Sequence, residues 1–420
     1  MNLKDRISLY LKKIKGRLIK QIIQKTDVHT NTETVNKFFE ENMIPRNSDT
    51  LRIAFLFQIA SFWPNWESFY LECLNDYRIS VKMYLLKDEV NEHSQIQSAK
   101  KFLDSHDIKY SEYNDQNMDA FKPHVVVIQT PYDYDHRKPK HQTADYMKKG
   151  YRVIYIPYGI EIANTERSRR DHFFNPVVRN CWRVFVFSET IKRDYVTIGG
   201  LEESKIVPLG HPKFDRIRQN DKLEISDTLK KIENRKIVVW HIHFPKKITV
   251  NGKSVMCTPD LSEYFAFAKK IKEYKNLFFT ILPHPKFAES LQGERFISIF
   301  DKQVNCFVDW SDDYRPAIYS ADFMITDRSS LMIEVAPRGI PILYMDNKNW
   351  HEPMTDAINP LMDSYYHGTE CSDMIHFIDM CIAGDDMKKK ERELAVNTCL
   401  SLCDGKSGQK IKDYLLNEVT

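Results

Sequence analysis

The amino-acid sequence predicts an α/β protein built from two consecutive doubly wound parallel sheets with a cleft between them. Continuous runs of Val, Ile, Leu and Phe alternate with helical segments from residue 51 to residue 346. Such runs are typical of parallel strands that helices cover on both faces. The alternation breaks at the polar stretch 216–235 and then restarts, so each half of the chain is expected to form its own sheet. The length of 420 residues also exceeds that of a typical single core.

Five strands are predicted in each half of the chain. The spacing of apolar residues places the first five at 51–57, 78–86, 124–130, 152–159 and 183–189. The second five are expected at 236–244, 277–285, 306–310, 323–326 and 341–346. After residue 364 the pattern predicts helices alone. These elements divide the chain into an N-terminal segment (1–50), a first domain (51–210), a second domain (211–385) and C-terminal helices (386–420).

The first 25 residues predict an amphipathic helix with a basic face. Leu3, Ile7, Leu11, Ile14 and Leu18 recur at helical spacing, with lysines and an arginine between them. A helix of this kind lies on an anionic membrane surface with its apolar face down. Packing of the helix on its own domain is the alternative. No apolar run reaches the roughly 20 residues that a bilayer-spanning helix needs.

Composition and cysteine usage narrow the functional classes. The formal net charge of +3 is too small to indicate a partner made of nucleic acid. The eight cysteines show no CxxC pair and no zinc-like spacing, which indicates a reducing, cytoplasmic compartment. Asp133 and Asp135 form an Asp-x-Asp pair, but two carboxylates make an incomplete metal site. We therefore expect neither a metal nor an organic cofactor.

The strand at 323–326 ends in a motif suited to phosphate binding. Thr326, Asp327, Arg328, Ser329 and Ser330 lead into a helix predicted at 331–336. Asp and Ser at such a start cap the free N–H groups of the helix, and these N–H groups with the serine hydroxyls also suit a phosphate. One turn further on, the carboxylate of Glu334 would accept hydrogen bonds from a ribose. Plain capping with a solvated Glu334 is the alternative.

Two other segments of the second half carry candidate residues. His284 lies between prolines at a strand end, where a stiff backbone holds the imidazole for donation to a phosphate or for proton transfer. The segment 210–215, Gly-His-Pro-Lys-Phe-Asp, links the two halves of the chain. We include His211 and Lys213 of this segment among the predicted donor-binding residues. A salt-bridged hinge is the alternative for this segment.

The first half presents polar and aromatic residues at its own strand ends. Tyr158 and Gly159 close the strand at 152–159, and Asp135 and His136 follow the strand at 124–130. Ligands of open parallel sheets bind beyond the carboxyl ends of the strands, so these residues face the cleft. They suit acceptor binding, with plain surface placement as the alternative. A further group suits a sugar or polyol, or else packing between the domains: Trp63, Trp66 and Glu67.

These motifs, in this order, resemble the CDP-glycerol glycerophosphotransferase family, which includes teichoic-acid primases and polymerases and their capsule-forming relatives. The resemblance rests on four segments, which are 210–215, His284 with Pro285, 326–330 with Glu334, and 339–341. It covers roughly residues 51–346 and is most specific in the second half.

The resemblance implies a GT-B architecture in which a first, acceptor-side Rossmann-like domain faces a second one that binds the donor nucleotide. It implies transfer of a polyol phosphate from a CDP-activated donor to a lipid-linked or growing glycan, with release of CMP. It also implies peripheral attachment to the inner face of the bacterial membrane. Ser329 and Ser330 would hold the donor diphosphate, in the motif that begins at Thr326 and Asp327. His284 would be catalytic or would contact phosphate.

One departure from the family pattern concerns the base. The family presents a His-Gly pair at the end of a first-domain strand, and Tyr158 and Gly159 occupy the corresponding site here. A free tyrosine, with a pKa of about 10, is a poor base near neutrality. Either His136 or Asp135 takes the proton, or the acceptor differs. Two alternatives to the phosphotransferase stay open, namely a glycosyltransferase that uses a nucleotide-sugar and a non-catalytic partner in a membrane assembly.

Overall fold

The computed structural model describes residues 42–47, 49–87, 94–218, 232, 235–250, 252–311 and 313–419. The side chains of residues 94 and 135 also lie outside this description. The predicted amphipathic helix at 1–25 falls outside the described residues, and its binding to a membrane stays a prediction. Within the described ranges, no helix combines the length and the apolar composition needed to cross a bilayer.

Seven parallel strands form the sheet of the first domain. They are Leu51–Phe57 (β1), Ile79–Leu85 (β2), Ser111–Glu112 (β3), Val125–Ile128 (β4), Arg152–Tyr155 (β5), Arg183–Val186 (β6) and Ile206–Pro208 (β7). Their order in the sheet is β3-β2-β1-β4-β5-β6-β7. The five predicted strands are confirmed; β1 agrees residue for residue and the other four are shorter than predicted. The sequence does not predict β3 and β7, because β3 is polar and a proline ends the two-residue apolar run of β7.

Six parallel strands form the sheet of the second domain, and two more form a separate antiparallel hairpin. In chain order the eight strands are Lys236–Ile242 (β8), Lys247–Val250 (β9), Lys253–Met256 (β10), Leu277–Pro283 (β11), Cys306–Val308 (β12), Phe323–Thr326 (β13), Ile342–Met345 (β14) and Tyr366–Gly368 (β15). The sheet order is β12-β11-β8-β13-β14-β15, and β9 pairs with β10. The five predicted strands are again confirmed. Strand β15 corrects the expectation that only helices follow residue 364.

The helices connect these strands, and both sheets run outward from a central strand, which places crossovers on both faces. The first-half helices are Glu67–Leu74, Ser94–Ser105, Asp115–Phe121, Asp133–His136, Thr143–Lys148, Glu166–Phe173, Pro176–Asn180, Glu189–Thr197 and Asp215–Arg218. The second-half helices are Leu261–Ala268, Pro285–Ala288, Leu291–Ile297, Arg315–Ser320, Leu331–Glu334, Asn359–Asp363, Cys371–Ala383, Lys389–Cys399 and Ser407–Glu418. Short 3-10 turns lie at Ala60–Asn65, Glu203–Lys205, Pro212–Phe214, Ile271–Glu273 and Ala336–Arg338.

Aromatic residues lock each central strand into its core. Phe55 of β1 meets the ring of Trp66 with centroids 5.4 Å apart and that of Tyr70 at 5.3 Å. Trp240 of β8 is fully buried and contacts Tyr264 at 5.5 Å, edge to face. Each such pair adds about 0.5–1.5 kcal/mol beyond the burial of its area. The core of each sheet therefore holds in place the strands whose ends carry polar residues.

The last helix, Ser407–Glu418, returns to the first domain and packs on Glu67–Leu74. Asp215 joins the two, because its Oδ1 atom accepts from the Ser407 N–H at 2.9 Å and its Oδ2 atom accepts from the Ser68 hydroxyl at 2.7 Å. Gly408 lies so close that an added Cβ would stand 2.5 Å from the backbone nitrogen of Phe69. The C-terminal helix thus ties the end of the chain to the first domain.

Candidate active site

The carboxyl ends of the two sheets line a common cleft of about 580 Å³. One wall comes from the ends of β4 and β5 and from the helix Glu166–Phe173. The other wall comes from the ends of β8, β11 and β13. Ligands of open parallel sheets bind at such strand ends, and the volume suits a nucleotide-sized molecule.

The cleft carries an excess of positive charge. Among its described lining residues, one acidic side chain, Asp171, faces five basic ones: Arg167, Lys246, Lys247, Lys286 and Arg328. Burial, together with the nearby Arg328 and Arg167, lowers the pKa of Lys246 to about 8. A lowered pKa shows that too few negative charges lie near the ammonium group of Lys246 to compensate its charge. The site is therefore suited to a ligand with several negative charges.

Arg328 is supported from behind the cleft. Its Nη2 atom lies 2.8 Å from Glu352 Oε1, and its Nη1 atom donates to the sulfur of Cys257 at 3.3 Å. Burial raises the pKa of Glu352 to about 7, although Arg328 opposes this shift. The Glu352 carboxyl group and the Cys257 sulfur therefore hold the guanidinium in position at the wall of the cleft.

Two histidines stand side by side at the ends of β8 and β11, with ring centroids of His243 and His284 4.9 Å apart. His284 Nδ1 accepts from the Lys286 N–H at 3.1 Å, which assigns its proton to Nε2. His243 Nδ1 donates to the Phe244 carbonyl at 2.8 Å, which leaves its Nε2 as an acceptor. Burial, with Lys286 and Lys246, lowers the pKa of His284 to about 4. Burial also lowers the pKa of His243, to about 3, so both rings are neutral near pH 7.

The first-domain wall is aromatic at the end of β5. The ring of Tyr158 stacks on Phe62 with centroids 4.3 Å apart, and its hydroxyl is hydrogen-bonded to that of Tyr132. Burial raises the pKa of Tyr158 above its ordinary value. The phenol therefore keeps its proton near neutrality and offers a flat surface and a hydroxyl, but no base.

The comparison with protein families decides where this chain belongs. Residues 138–417, more than half of the chain, match a family described as CDP-Glycerol:Poly(glycerophosphate) glycerophosphotransferase. The chain belongs to the CDP-glycerol glycerophosphotransferase family. The resemblance drawn from the motifs is thereby confirmed.

The chain is also similar to several named proteins. A teichoic acid ribitol-phosphate polymerase, TarL of Staphylococcus aureus, is 24% identical over 241 residues, which are 51% of this chain and 41% of TarL. The chain thus spans less than half of the length of that relative. The wall teichoic acid polymerase TagF aligns with a TM-score of 0.60 and 12% identity over 98% of both chains. A UDP-GlcNAc 2-epimerase from Neisseria meningitidis aligns with a TM-score of 0.60 and 13% identity, over 88% of this chain and all (100%) of its own. Identities this low show a shared fold alone, and that fold is the predicted GT-B arrangement of two Rossmann-like domains.

In this member of the glycerophosphotransferase family, the serines after β13 do not line the cleft. Ser329 Oγ accepts from the Leu331 N–H at 3.2 Å, as the capping alternative predicts. The helix that follows, Leu331–Glu334, is shorter than predicted and gives way to a 3-10 turn at Ala336–Arg338. A single helical turn has a small dipole, which weakens the expected attraction for phosphate.

Glu334 has a different environment from the one predicted. Its carboxylate is buried and accepts from Lys213 Nζ at 2.9 Å, from the Tyr314 hydroxyl at 2.5 Å and from Ser330 Oγ at 2.9 Å. Because both oxygens accept from protein donors, this geometry does not support a ribose contact, and the donor-binding role of Glu334 stays a prediction. The same contacts bury Lys213, which the sequence places in the donor-binding set. The salt-bridged alternative describes this pair.

Asp327 and Thr326 are buried behind the cleft rather than exposed in it. Asp327 accepts from the His243 N–H at 3.0 Å and from the Tyr264 hydroxyl at 3.1 Å. Burial raises the pKa of Asp327 to about 7. Thr326 Oγ1 lies 3.3 Å from the ring of His241. Asp327 thus acts on the site indirectly, because it fixes the backbone of His243 at the end of β8.

His211 also serves the junction between the domains. Its Nε2 atom donates to the carbonyl of Pro157 at 2.7 Å, and its Nδ1 atom accepts from the Lys213 N–H at 3.2 Å. Both ring nitrogens are therefore used, and burial, with Lys213, lowers the pKa of His211 to about 4. The buried neutral ring does not line the cleft, and the donor-binding role of His211 stays a prediction.

The acidic segment after β4 is largely structural. Asp133 is buried and accepts from Arg137 Nε at 2.9 Å and from the Thr143 hydroxyl at 3.0 Å. His136 packs its ring on Tyr132 and is not among the residues that line the cleft. The side chain of Asp135 lies outside the described part of the chain. Within that part, no cluster of three or more His, Cys, Asp or Glu residues could hold a metal ion.

The aromatic group after β1 lies in the core of the first domain rather than at the rim of the cleft. Trp63 and Trp66 are 2% and 0% exposed, so neither offers a surface to a sugar. Glu67 forms ion pairs with Arg315 of the second domain and with Arg216, the latter at 3.1 Å. The tryptophans pack on Phe57 and Tyr70 in the core of the first domain. Of this group, Glu67 is the residue that joins the domains.

Sequence reasoning missed the cations and the second histidine of the cleft. Arg328 is the middle residue of the motif 326–330, in which only the flanking residues were predicted to bind the donor. His243 and Lys246 follow β8 in the run His-Phe-Pro-Lys, which is a polar strand end of the kind used elsewhere. The helix Glu166–Phe173 was visible as polar residues at helical spacing, from Arg167 and Ser168 to Asp171 and His172.

Proposed function

We propose that the protein transfers a polyol phosphate from a CDP-activated donor to a hydroxyl of a glycan or teichoic-acid-like acceptor and releases CMP. The observation that carries this proposal is the surplus of cations around a cleft at the carboxyl ends of two parallel sheets. The family of the chain and its similarity to a ribitol-phosphate polymerase support the same chemistry. The polymer would belong to the cell wall or to a capsule.

The donor diphosphate would bind the second-domain wall. Lys246, Lys286 and Arg328 would form charge-assisted hydrogen bonds with its oxygens, and the planar fork of the arginine suits two of them at once. His284 would donate from Nε2 to the same group, because its Nδ1 atom is already bonded to the backbone. The acceptor would then approach from the aromatic wall that contains Tyr158.

The reaction exchanges one P–O bond for another. The acceptor oxygen attacks the phosphorus that carries the polyol, and the bond from this phosphorus to the CMP oxygen breaks. Such a step depends on alignment of the reacting groups and on neutralisation of the developing charge. Preorganised cations and a histidine donor meet this requirement without rearrangement. A bound donor that fills the cleft would also limit hydrolysis by water.

A donor panel tests the proposal. Purified protein that contains residues 1–420 is incubated with CDP-glycerol, CDP-ribitol or a set of UDP-sugars, each with poly(glycerol phosphate) or poly(ribitol phosphate). The released nucleotide is measured. We expect CMP from one of the CDP-polyols and polymer that grows by one unit per CMP. Release of UDP from a UDP-sugar, with no CMP from either CDP-polyol, would establish the glycosyltransferase alternative instead.

The His284→Ala variant separates an enzyme from a non-catalytic partner. An enzyme loses most of its CMP release in this variant while its unfolding midpoint is unchanged. The His106→Ala variant is the matched control, because His106 is an exposed first-domain histidine that does not line the cleft. Polymer production in cells that is equal for both variants would favour the non-catalytic role.

We also propose that residues 1–25 hold the protein on the inner face of the membrane, next to a lipid-linked acceptor. The support is the basic amphipathic pattern of the sequence. Deletion of these residues should abolish co-flotation with vesicles that contain anionic phosphatidylglycerol, while neutral phosphatidylcholine vesicles bind neither form. Flotation that is unchanged by the deletion would assign this segment a structural role.

A further inference from the structure

The helix Glu166–Phe173 gives the first-domain wall a polar stripe. Arg167, Ser168, Asp171 and His172 line the cleft from this helix. Residues four apart in a helix lie on the same face, so the pairs 167/171 and 168/172 point together toward the opposite wall. The stripe lies across the cleft from Arg328 and Lys246, which are the proposed phosphate-binding residues of the second domain.

His172 has chemistry that no other described residue of this wall offers. It contributes the one imidazole that lines the cleft from the described part of the first domain. Within the described residues, neither of its ring nitrogens has a hydrogen-bond partner in the protein. Burial lowers the pKa of His172 to about 4, with Asp171 opposing this shift and Arg328 adding to it. The ring is therefore neutral near pH 7 and has a free nitrogen lone pair.

The other groups near the acceptor side are engaged within the protein. The carboxylate of Asp171 pairs with Arg167 at 3.6 Å and with Arg170 at 3.5 Å. Tyr158 shares its hydroxyl with Tyr132 and keeps its proton. His136 packs on Tyr132 away from the lining. His243 and His284 belong to the donor wall, beside Lys286. We propose, on the basis of the function proposed above, that His172 is the general base that takes the proton of the attacking acceptor hydroxyl.

Asn175 fixes the position of this histidine. Its Nδ2 atom donates to the carbonyls of Asp171 and His172 at 3.0 and 2.9 Å, at the end of the helix. Its Oδ1 atom accepts from the Val178 N–H at 3.0 Å and so caps the next helix. Phe173 anchors the same turn in the core, edge to face with Tyr195 at 4.8 Å. The imidazole therefore projects from a backbone that is bonded on both sides.

With His172 as the base, every proton and electron pair of the transfer step is accounted for. The acceptor O–H proton moves to the free ring nitrogen of His172, and the oxygen forms a bond to the phosphorus that carries the polyol. The bond from that phosphorus to the CMP oxygen breaks, and CMP leaves with the electron pair. The negative charge of a bound diphosphate offsets the cations of the cleft, which raises the basicity of the ring toward the range a general base needs.

Four variants of the protein test the assignment, with the CDP-polyol that the unmodified protein uses fastest and poly(glycerol phosphate) or poly(ribitol phosphate) as acceptor. A general base contributes about 100-fold or more to the rate, so His172→Gln should lose at least that in kcat. Binding of the CDP-polyol, measured by calorimetry, should stay within about threefold because the donor wall is intact. In His172→Gly, added imidazole should restore part of the rate. The His106→Gln control should behave as the unmodified protein.

The outcomes separate this assignment from the proposed function. An active unmodified protein whose His172→Gln variant is equally active overturns the assignment alone. If the His136→Gln variant loses transfer and the His172→Gln variant is fully active, His136 is the general base instead. A His172→Gly variant that imidazole does not rescue, together with weakened donor binding, assigns His172 a structural role. An unmodified protein that releases no CMP from either CDP-polyol overturns the proposed function, and the assignment falls with it.

Discussion

Lys213 Nζ lies 2.9 Å from Glu334 Oε1, and this buried ion pair joins the segment between the two sheets to the short helix after β13. Tyr314 and Ser330 donate to the same carboxylate at 2.5 and 2.9 Å. Burial opposes ionisation of Glu334, but Lys213 and the two hydroxyls outweigh it and hold its pKa below the ordinary value. The ionised carboxylate thus fastens the linking segment to the second domain beneath the cleft.

The Glu334→Gln variant should be strongly destabilised. The amide keeps the shape of the side chain but leaves Lys213 buried without a counter-charge, and breaking a buried pair from one side costs about 3 kcal/mol or more. Urea unfolding measures the difference in the free energy of unfolding. The control is Glu112→Gln, which breaks an exposed pair with Lys100 and should leave the unfolding midpoint unchanged. Equal stabilities for the two variants would contradict a stabilising role of the buried pair.

The Lys286→Met variant should bind the donor about 10-fold more weakly, because it removes one charge-assisted contact with the diphosphate. Lys286 is exposed at the cleft, so its loss should leave the unfolding midpoint unchanged. Calorimetric titration with CDP-glycerol or CDP-ribitol gives the affinity, and its dependence on salt should also decrease. Lys302→Met is the control, since Lys302 is equally exposed and lies outside the cleft lining. Similar affinities for both variants would place the diphosphate elsewhere.

The Gly408→Ala variant should separate the last helix from the first domain. An added Cβ would lie 2.5 Å from the Phe69 nitrogen and 2.6 Å from the Ser68 carbonyl carbon, so the helices must move apart. Overpacking of this kind costs about 1–3 kcal/mol, which exceeds the gain of about 1 kcal/mol from replacing a helical glycine. Thermal unfolding measures the loss. Gly159→Ala is the control, because its Cβ would meet nothing within 4 Å and its stability should be unchanged.

The Glu161→Gln variant should change how stability depends on pH. Glu161 accepts from the Tyr195 hydroxyl at 2.6 Å, and burial raises its pKa to about 7. In the unfolded chain this pKa is about 4.3. The folded protein therefore keeps a proton that the unfolded chain releases, and this contribution to stability is complete below about pH 4 and is lost as the pH rises to about 7.

Glutamine is neutral at every pH, so the variant should not lose stability from this position as the pH rises from about 4 to about 7. Relative to the unmodified protein, it should gain up to about 3 kcal/mol in the free energy of unfolding between pH 4.5 and pH 7.5. Urea unfolding at both pH values gives the two differences. Parallel pH profiles for the two proteins would show that Glu161 titrates at its ordinary pKa in the fold.

The strands were predictable because their pattern is local. Strands β1 and β13 agree residue for residue with the predicted segments, in which six of seven and three of four residues are apolar. The hairpin β9–β10 and the edge strand β15 were not predictable, because they are partly exposed and carry no apolar run. Their pairing depends on which neighbour the folded sheet offers, and this is set by tertiary contacts.

The sequence by itself determined the two doubly wound sheets and the strand ends at which polar residues collect. The order of its motifs also indicated the family. Only the tertiary structure decided which polar side chains at those ends meet a ligand. Lys213 and Glu334 are 121 residues apart in the sequence. No local pattern therefore reveals that their side chains form an ion pair with each other. Arg328, Lys246 and His172 come from different elements, and their shared cleft exists only when the domains face each other. Charges interact through distances in space, whereas sequence periodicity records only distances along the chain.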